Sequence, residues 1–556
     1  MEKNYKNYNM FWDKKYNVPR ILDKEKDKMF IQSNDYKYIA TDLRPVFLEE
    51  KLLLLNMFPD VFDEKIFSSS IWANKLNRYI VDGVAKNLKV NHRAKELRES
   101  MNSFRNKLFS LEIKKEHFLE EKKLFDRFID VNKEHLNNLL MSEEKDKEGF
   151  PLGAYPFIRE VYEKYPNRLS LVSFSGGKDS TVTSHLVTKA LNNPSILHIF
   201  GDTTLELPKT YEYVEQFKKN NPMTPFFDEK NEENNFFEMC EEIGPPSRVK
   251  SWCCSIFKTG PMGTTLGNFD EFMLTFLGIR RPESSSRSKY SRLSQSPKIL
   301  KQLVALPMVD WLDIDVWLYM LTENLDFNYS YRQGFTRVGC WVCPHNSDWS
   351  TFLSSLYNSK EFEKWYKFLI DFAKKIGKED YEDYILDGKW KARQGGAGIE
   401  KSKDILVESK ECINESNSKT YHLNKPINNE FYELFKPFGE LRGTYKGKTK
   451  ETYLISKKTN EILFKLLTKD DSDNVKITIM ESKDRYIINK IEKQLNKFNS
   501  CMYCQACNSA CPVCAITVSN STYHIDEEKC INCLKCIDKF DSGCIISSAL
   551  KIKKGS

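Results

Sequence analysis

Apolar residues recur at helical spacing between Phe104 and Leu140 (Phe104, Leu108, Leu111, Phe118, Leu124, Phe128), which predicts one or two helices. The polar run Ser142–Glu148 then reads as a linker. Beyond it the pattern changes. Leu169–Phe174 is a short apolar strand ending in a glycine-containing turn, after which Val182, Leu186, Val187 and Ala190 share one helix face. Ile196–Phe200 predicts a second strand and Tyr211–Phe217 a second helix, with further strands at Phe272–Leu277 and Leu303–Pro307. Repetition of strand, turn and helix predicts an α/β fold: a doubly wound parallel sheet covered on both faces, its ligands at the strand carboxyl ends. Residues 397–420 are polar and read as a linker, and short strands (Thr452–Ile455, Val475–Ile479) with a helix at Tyr486–Phe498 predict a small α+β unit. The expected organisation is a mostly helical region at 1–150, a nucleotide domain at 151–396, the α+β unit at 421–498 and a cysteine module at 499–556.

The length, 556 residues, suits three or four domains of roughly 150 residues. With 40% hydrophobic and 13% aromatic residues the chain can bury real cores, which excludes wholesale disorder. Its longest aliphatic run, Leu52–Leu55, is far short of the ~20 residues of a membrane span. The charged first thirty residues hold no secretory h-region, so the expected compartment is cytoplasmic, without membrane association. A net charge of +7 permits a nucleic-acid partner without demanding one. Cysteine changes the picture most: there are 15, and nine fall between Cys501 and Cys544. In a reduced compartment such crowding points to metal-ligating thiolates rather than disulfides.

Three constellations carry candidate chemistry. The first is Ser173-Phe174-Ser175-Gly176-Gly177-Lys178-Asp179-Ser180, where the first strand hands over to the first helix. Glycines let the backbone approach an anion, helix N–H groups point at it, and Lys178 adds positive charge. The spacing is not that of a Walker A loop. The second is the pair Cys253-Cys254 with the distant Cys340 and Cys343; four thiolates there suit zinc or a 4Fe–4S cluster. The third is the tail. Cys501, Cys504, Cys507 and Cys511, followed by Pro512, have the bacterial ferredoxin spacing, in which the fourth cysteine serves the other cluster. Cys530, Cys533 and Cys536 repeat it, closed late by Cys544. The expected sets are Cys501, Cys504, Cys507 and Cys544 for one cluster and Cys511, Cys530, Cys533 and Cys536 for the other, with Cys514 as alternative to Cys511. Cys240 and Cys412 stay unassigned.

The loop SFSGGKDS resembles that of the adenine-nucleotide α-hydrolase-like superfamily, the PP-loop or ATP pyrophosphatase group. Gly201-Asp202-Thr203-Thr204-Leu205-Glu206-Leu207-Pro208 and Gly278-Ile279-Arg280-Arg281-Pro282-Glu283-Ser284 resemble motifs of the phosphoadenosine phosphosulfate (PAPS) reductase family, as does Pro307–Trp311 with Asp315–Trp317. Trp252–Lys258 resembles the cluster motif of adenylyl-sulfate (APS) reductases. Asp42–Phe47 is similar to the leading segment of archaeal relatives with ferredoxin tails, although this chain lacks their opening CxxC element.

The resemblance implies a PP-loop sheet and an adenine nucleotide (ATP or an adenylyl sulfonucleotide, with Mg2+ admitted) held by Ser173, Ser175, Gly176, Gly177, Lys178, Asp179, Ser180, Asp202 and Thr203. Lys178, Asp179, Lys258, Arg280 and Arg281 would serve the reaction, with Arg287 a further candidate and a third 4Fe–4S cluster beside the pocket. The family's nucleophilic cysteine motif near the C-terminus is missing. Three readings stand at this point. One is a PAPS/APS-reductase-like oxidoreductase fed electrons by its ferredoxin tail or a donor protein. Another is an ATP-dependent sulfurtransferase acting on DNA or tRNA with a sulfur-donor protein. The last is an electron-transfer protein that only senses nucleotide. Under the first, the candidate nucleophiles are Cys240, Cys412 and Cys514, and Cys412, in the polar linker, is the one most able to swing to the pocket.

Overall fold

The computed structural model describes residues 8–24, 36–39, 42–74, 78–86, 88, 101–110, 112–403, 405, 407–413, 415, 417–480 and 486–552. Among the described residues, seven strands lie before residue 90: β1 (Tyr8–Asp13), β2 (Val18–Asp23), β3 (Tyr36–Tyr38), β4 (Leu43–Pro45), β5 (Ile71–Asn74), β6 (Tyr79–Val81) and β7 (Val84–Lys86). They form two antiparallel sheets, ordered β2-β1-β3 and β4-β5-β6-β7. The expectation of a mostly helical first 150 residues is therefore corrected, since strands of three to six residues are too short to print a period-two pattern. The expected helices do form, at Met101–Phe109 and Lys115–Met141. The second holds β2 through Asn132, whose side chain accepts from Ile21 N (2.8 Å) and donates to Pro19 O (3.1 Å).

The central sheet contains β8 (Leu169–Phe174), β9 (Leu197–Asp202), β10 (Phe226–Lys230), β11 (Met273–Phe276), β12 (Leu293–Gln295) and β13 (Gln302–Ala305). Its order is β10-β9-β8-β11-β13-β12, parallel except for the edge strand β12. The chain runs outward from β8 through β9 to β10, then returns to lay β11 and β13 on the other side. The order thus reverses between β8 and β11, and a crevice opens at their carboxyl ends. Helices Lys178–Leu191 and Asp313–Thr322 bury Val182, Leu186, Ile314 and Trp317 in a core shared with the N-terminal region. The run Ser142–Glu148 is no free linker: Asp146 pairs with buried Arg292 (3.3 Å), and Glu148 accepts from Arg281 and from Arg292 N.

A second six-stranded sheet is antiparallel and consists of β14 (Glu408–Glu411), β15 (Ser418–His422), β16 (Glu440–Lys446), β17 (Thr449–Ile455), β18 (Ile462–Lys469) and β19 (Asn474–Ile479), ordered β14-β15-β19-β18-β17-β16. It begins inside the stretch read as a linker because the edge strand β14 is fully exposed and carries no apolar alternation. Helix Ile487–Ser500 leads into the cysteine module, which holds the hairpin β20 (Ile516–Ser519) and β21 (Thr522–Ile525).

Candidate functional site

β8 is an apolar run that ends where Ser175-Gly176-Gly177 turns into helix Lys178–Leu191. Gly176 has φ +68°, and a Cβ there would lie 2.9 Å from Thr210 Cγ2, so the turn requires glycine. Ser180 Oγ accepts from Ser175 N (3.1 Å) and donates to Gly177 O (2.9 Å), folding the loop back on the helix N-terminus. The Lys178 N–H donates to the Tyr331 hydroxyl (3.0 Å).

Below this turn lies a buried group of four charges. Lys178 Nζ is 3.0 Å from Asp179 Oδ2 and 3.1 Å from Asp313 Oδ1. Arg280, only 1% exposed, donates from Nε to Asp179 (2.6 Å) and from its terminal nitrogen to Asp313 (2.8 Å). Burial alone would weaken both cations, but the two carboxylates outweigh it and hold Lys178 and Arg280 above their ordinary values. Burial would likewise raise the carboxyls, and the two cations outweigh it and hold Asp179 and Asp313 down. Tertiary approach makes the group possible: a Cβ on Gly278, beyond β11, would sit 2.6 Å from Asp179 O, so only glycine lets the two loops meet.

Arg280 thus braces the loop. Arg281 is engaged elsewhere, on Asp310 (2.8 and 2.9 Å) and Glu148 (2.7 Å), and Arg287 pairs with Glu283. The expectation that these guanidinium forks face an anion is not what the structure displays: every fork is on carboxylates, because Asp313, Asp310 and Glu148 fold in from distant segments.

Asp202, at the end of β9, accepts from Thr204 N (2.7 Å) and the Tyr211 hydroxyl (2.8 Å). Thr203 Oγ1 donates to buried Glu206 (3.0 Å) and lies 3.1 Å from Cys340 Sγ, so the strand end joins the nucleotide crevice to the first cysteine group. Cys253 and Cys254 sit on the turn Trp252–Cys254, which widens into a π-turn over Ser255–Thr259. Cys253 is pushed well up, first by its hydrogen bond with Cys254 and by burial, then by the charges of Cys254, Cys340 and Cys343. The four thiols therefore lie near enough for their charges to act on one another. Lys258 lies across Gly201, and its charge acts on both Glu206 and Cys254. Glu206, Asp313 and Tyr331 were missed from sequence; Glu206 alone carried a signal, inside the motif after β9.

In the tail, burial and the charges of Cys544, Cys507 and Cys501 raise the Cys504 thiol, and burial followed by Cys544 and Cys507 raises Cys501. Cys511, Cys530, Cys533 and Cys536 line one largely apolar pocket with Ile516 and Ile525. Cys514 Sγ lies 4.0 Å from Cys511 O and 3.5 Å from where a Gly267 Cβ would be. Cys240 is fully buried and its thiol pushed well up by that burial. Cys412 lies in the turn between β14 and β15, where its N–H donates to Ser418 O (3.1 Å) and its Sγ is 3.6 Å from Thr420 Oγ1. Among the described residues, no three His, Cys, Asp or Glu side chains converge on a single-ion position. No described helix is long and apolar enough to cross a membrane.

The parallel sheet with a glycine turn at its switch point makes this an α/β protein, and residues 170–346 match the phosphoadenosine phosphosulfate reductase domain. The chain is 32% identical over 268 residues to uncharacterized protein MJ0066 of Methanocaldococcus jannaschii, covering 48% of this chain but only 54% of that protein. It is 31% identical over 309 residues to uncharacterized protein MJ0973 of the same organism, covering 55% of this chain and 68% of that one. The chain belongs to the family of that protein. It is also 27% identical over 194 residues to adenosine 5'-phosphosulfate reductase of Lysinibacillus sphaericus, covering 34% of this chain and 79% of the relative.

Proposed function

We propose that this chain is an iron–sulfur oxidoreductase of the APS/PAPS-reductase type, acting on an adenylyl sulfonucleotide at the crevice between β8 and β11. Ser175–Ser180 would hold the nucleotide's phosphate through helix N-terminal N–H groups and the Lys178 charge, and Asp202 and Thr203 would flank it. Cleavage of the sulfur–oxygen bond takes two electrons and one proton and releases nucleoside monophosphate and bisulfite.

Soft thiols grouped in fours, one set lining an apolar pocket and another acting on one another's charges, fit 4Fe–4S clusters, whose corners hold thiolates farther apart than a single ion does. Cys253, Cys254, Cys340 and Cys343 would hold one beside the nucleotide. Cys501, Cys504, Cys507 and Cys544, and Cys511, Cys530, Cys533 and Cys536, would hold two in the tail. Such clusters supply one-electron transfer when bound.

The observation that carries this reading is the direct docking of the tail on the segment behind Cys254. Buried Asn231 donates to Ile256 O (3.2 Å) and to Cys504 O (3.5 Å), joining the π-turn after Cys254 to the first tail set. A Cβ at Gly263 would lie 2.8 Å from Ser509 Cα, and Asn508 donates to Thr264 Oγ1 (2.7 Å), so helix Gly260–Gly267 and the tail touch backbone to backbone. This arrangement supports a tail that passes electrons inward. The place of Cys412 in a β-hairpin and the burial of Cys240 support a route without the family's swinging thiol.

The test uses anaerobically purified full-length protein given reduced viologen with APS, PAPS or ATP. About twelve iron and twelve sulfide per chain, with AMP or its 3'-phosphate and sulfite as products, are expected. Splitting of ATP to AMP and pyrophosphate without sulfite would replace the reading with the nucleic-acid sulfurtransferase.

A further inference from the structure

Helix Ile487–Ser500 buries Ile491, Leu495 and Phe498 on one face, and the same face buries a lysine. Lys497 is 1% exposed, and its Nζ has no hydrogen-bond partner. The ammonium lies 5.6 Å from the centre of the Tyr523 ring, whose own hydroxyl is buried and unpartnered. Helices Lys535–Asp538 and Ile545–Leu550, which carry Cys536 and follow Cys544, pack against this helix. The groups that act on the Lys497 charge are the thiols of Cys507, Cys536, Cys544 and Cys501. They come from both tail sets. Three of the four belong to the first set and Cys536 to the second, so the Lys497 charge is within electrostatic reach of both.

An ammonium taken out of water without a partner is strongly unfavourable unless an anion replaces the lost solvation. A cluster ligated by four thiolates is such an anion, and one-electron reduction makes it more negative. A fixed cation within reach of both clusters favours their reduced forms by simple Coulomb attraction, strengthened by the apolar surroundings.

We infer that Lys497 is the shared counter-charge of the two tail clusters and sets their reduction potentials upward, a positioning role that rests on the iron–sulfur reading of the tail. Reduction adds one electron to a cluster from an external donor; Lys497 neither gains nor loses a proton.

The test is a redox titration with dithionite, followed by electron paramagnetic resonance, on full-length wild type, Lys497→Met and Lys497→Arg. Iron and sulfide are assayed first. In Lys497→Met the tail midpoints should fall by at least tenfold in the reduction constant, ~59 mV for one electron. In Lys497→Arg they should stay near wild type, and the core signal should hold in both variants. Loss of tail iron in Lys497→Met but not in Lys497→Arg supports the same charge acting during assembly. Unchanged midpoints in Lys497→Met, or equal effects in both variants, overturn the inference while leaving the tail reading intact. Wild-type protein with no iron in the tail overturns the iron–sulfur reading, and this inference with it.

Discussion

Replacing Arg280 with methionine keeps the bulk of the side chain and removes its charge. In the native protein the guanidinium bonds Asp179 at 2.6 Å, Asp313 at 2.8 Å and Trp311 O at 3.3 Å, at 1% exposure. In the variant Asp179 and Asp313 must share Lys178 alone, which leaves one uncompensated carboxylate beneath the loop. Removing one partner of a buried ion pair costs about 3–5 kcal/mol. The effect is local, so native-state hydrogen exchange of the amides in helix Lys178–Leu191 reads it directly. At 1.36 kcal/mol per factor of ten, their exchange should accelerate by about two to four orders of magnitude. The pH dependence has a definite sign. Asp179 and Asp313 are held below the ordinary aspartate value of 3.8, so their contribution is fully present above that pH and is lost as pH falls through their lower folded values. In Arg280→Met the folded carboxyls rise, and the loss moves to higher pH. An acceleration of less than about fivefold, equivalent to the ~1 kcal/mol of an exposed pair, would show the four charges to be solvated and refute the bracing role.

Two other substitutions probe the loop and the docking of the tail. Gly176→Val places a β-branched residue at φ +68° and 2.9 Å from Thr210, a strain of about 1–2 kcal/mol before any clash. Calorimetry should show adenine-nucleotide binding abolished and elemental analysis iron unchanged; wild-type affinity would remove the loop from the site. Gly263→Val drives its side chain into the backbone of Ser509, weakening the tail's docking by about 1–3 kcal/mol. The tail should then be released faster by trypsin, and the core cluster reduced more slowly by stopped flow; an unchanged reduction rate would exclude this contact as the electron route.

Sequence alone determined what lies within a single turn or run. The strand Leu169–Phe174, its glycine turn and the helix from Lys178 were legible because apolar period, glycine placement and helix start are all local. The spacing of the tail cysteines is local in the same way, and Cys511, Cys530, Cys533 and Cys536 line one apolar pocket. What the tertiary structure decided was every pairing of charge. Arg280 and Arg281 look alike in sequence, yet one braces the loop and the other holds Glu148, because the sheet order brings β11 beside β8 and folds Asp313 and Asp310 over both. Cys412 falls in a hairpin rather than a linker because the exposed edge strand before it has no apolar signature. Lys497 reads in sequence as one more lysine of a polar helix. Only packing of that helix on both cysteine sets removes water from its ammonium, and loss of water is what turns an ordinary surface charge into a local field.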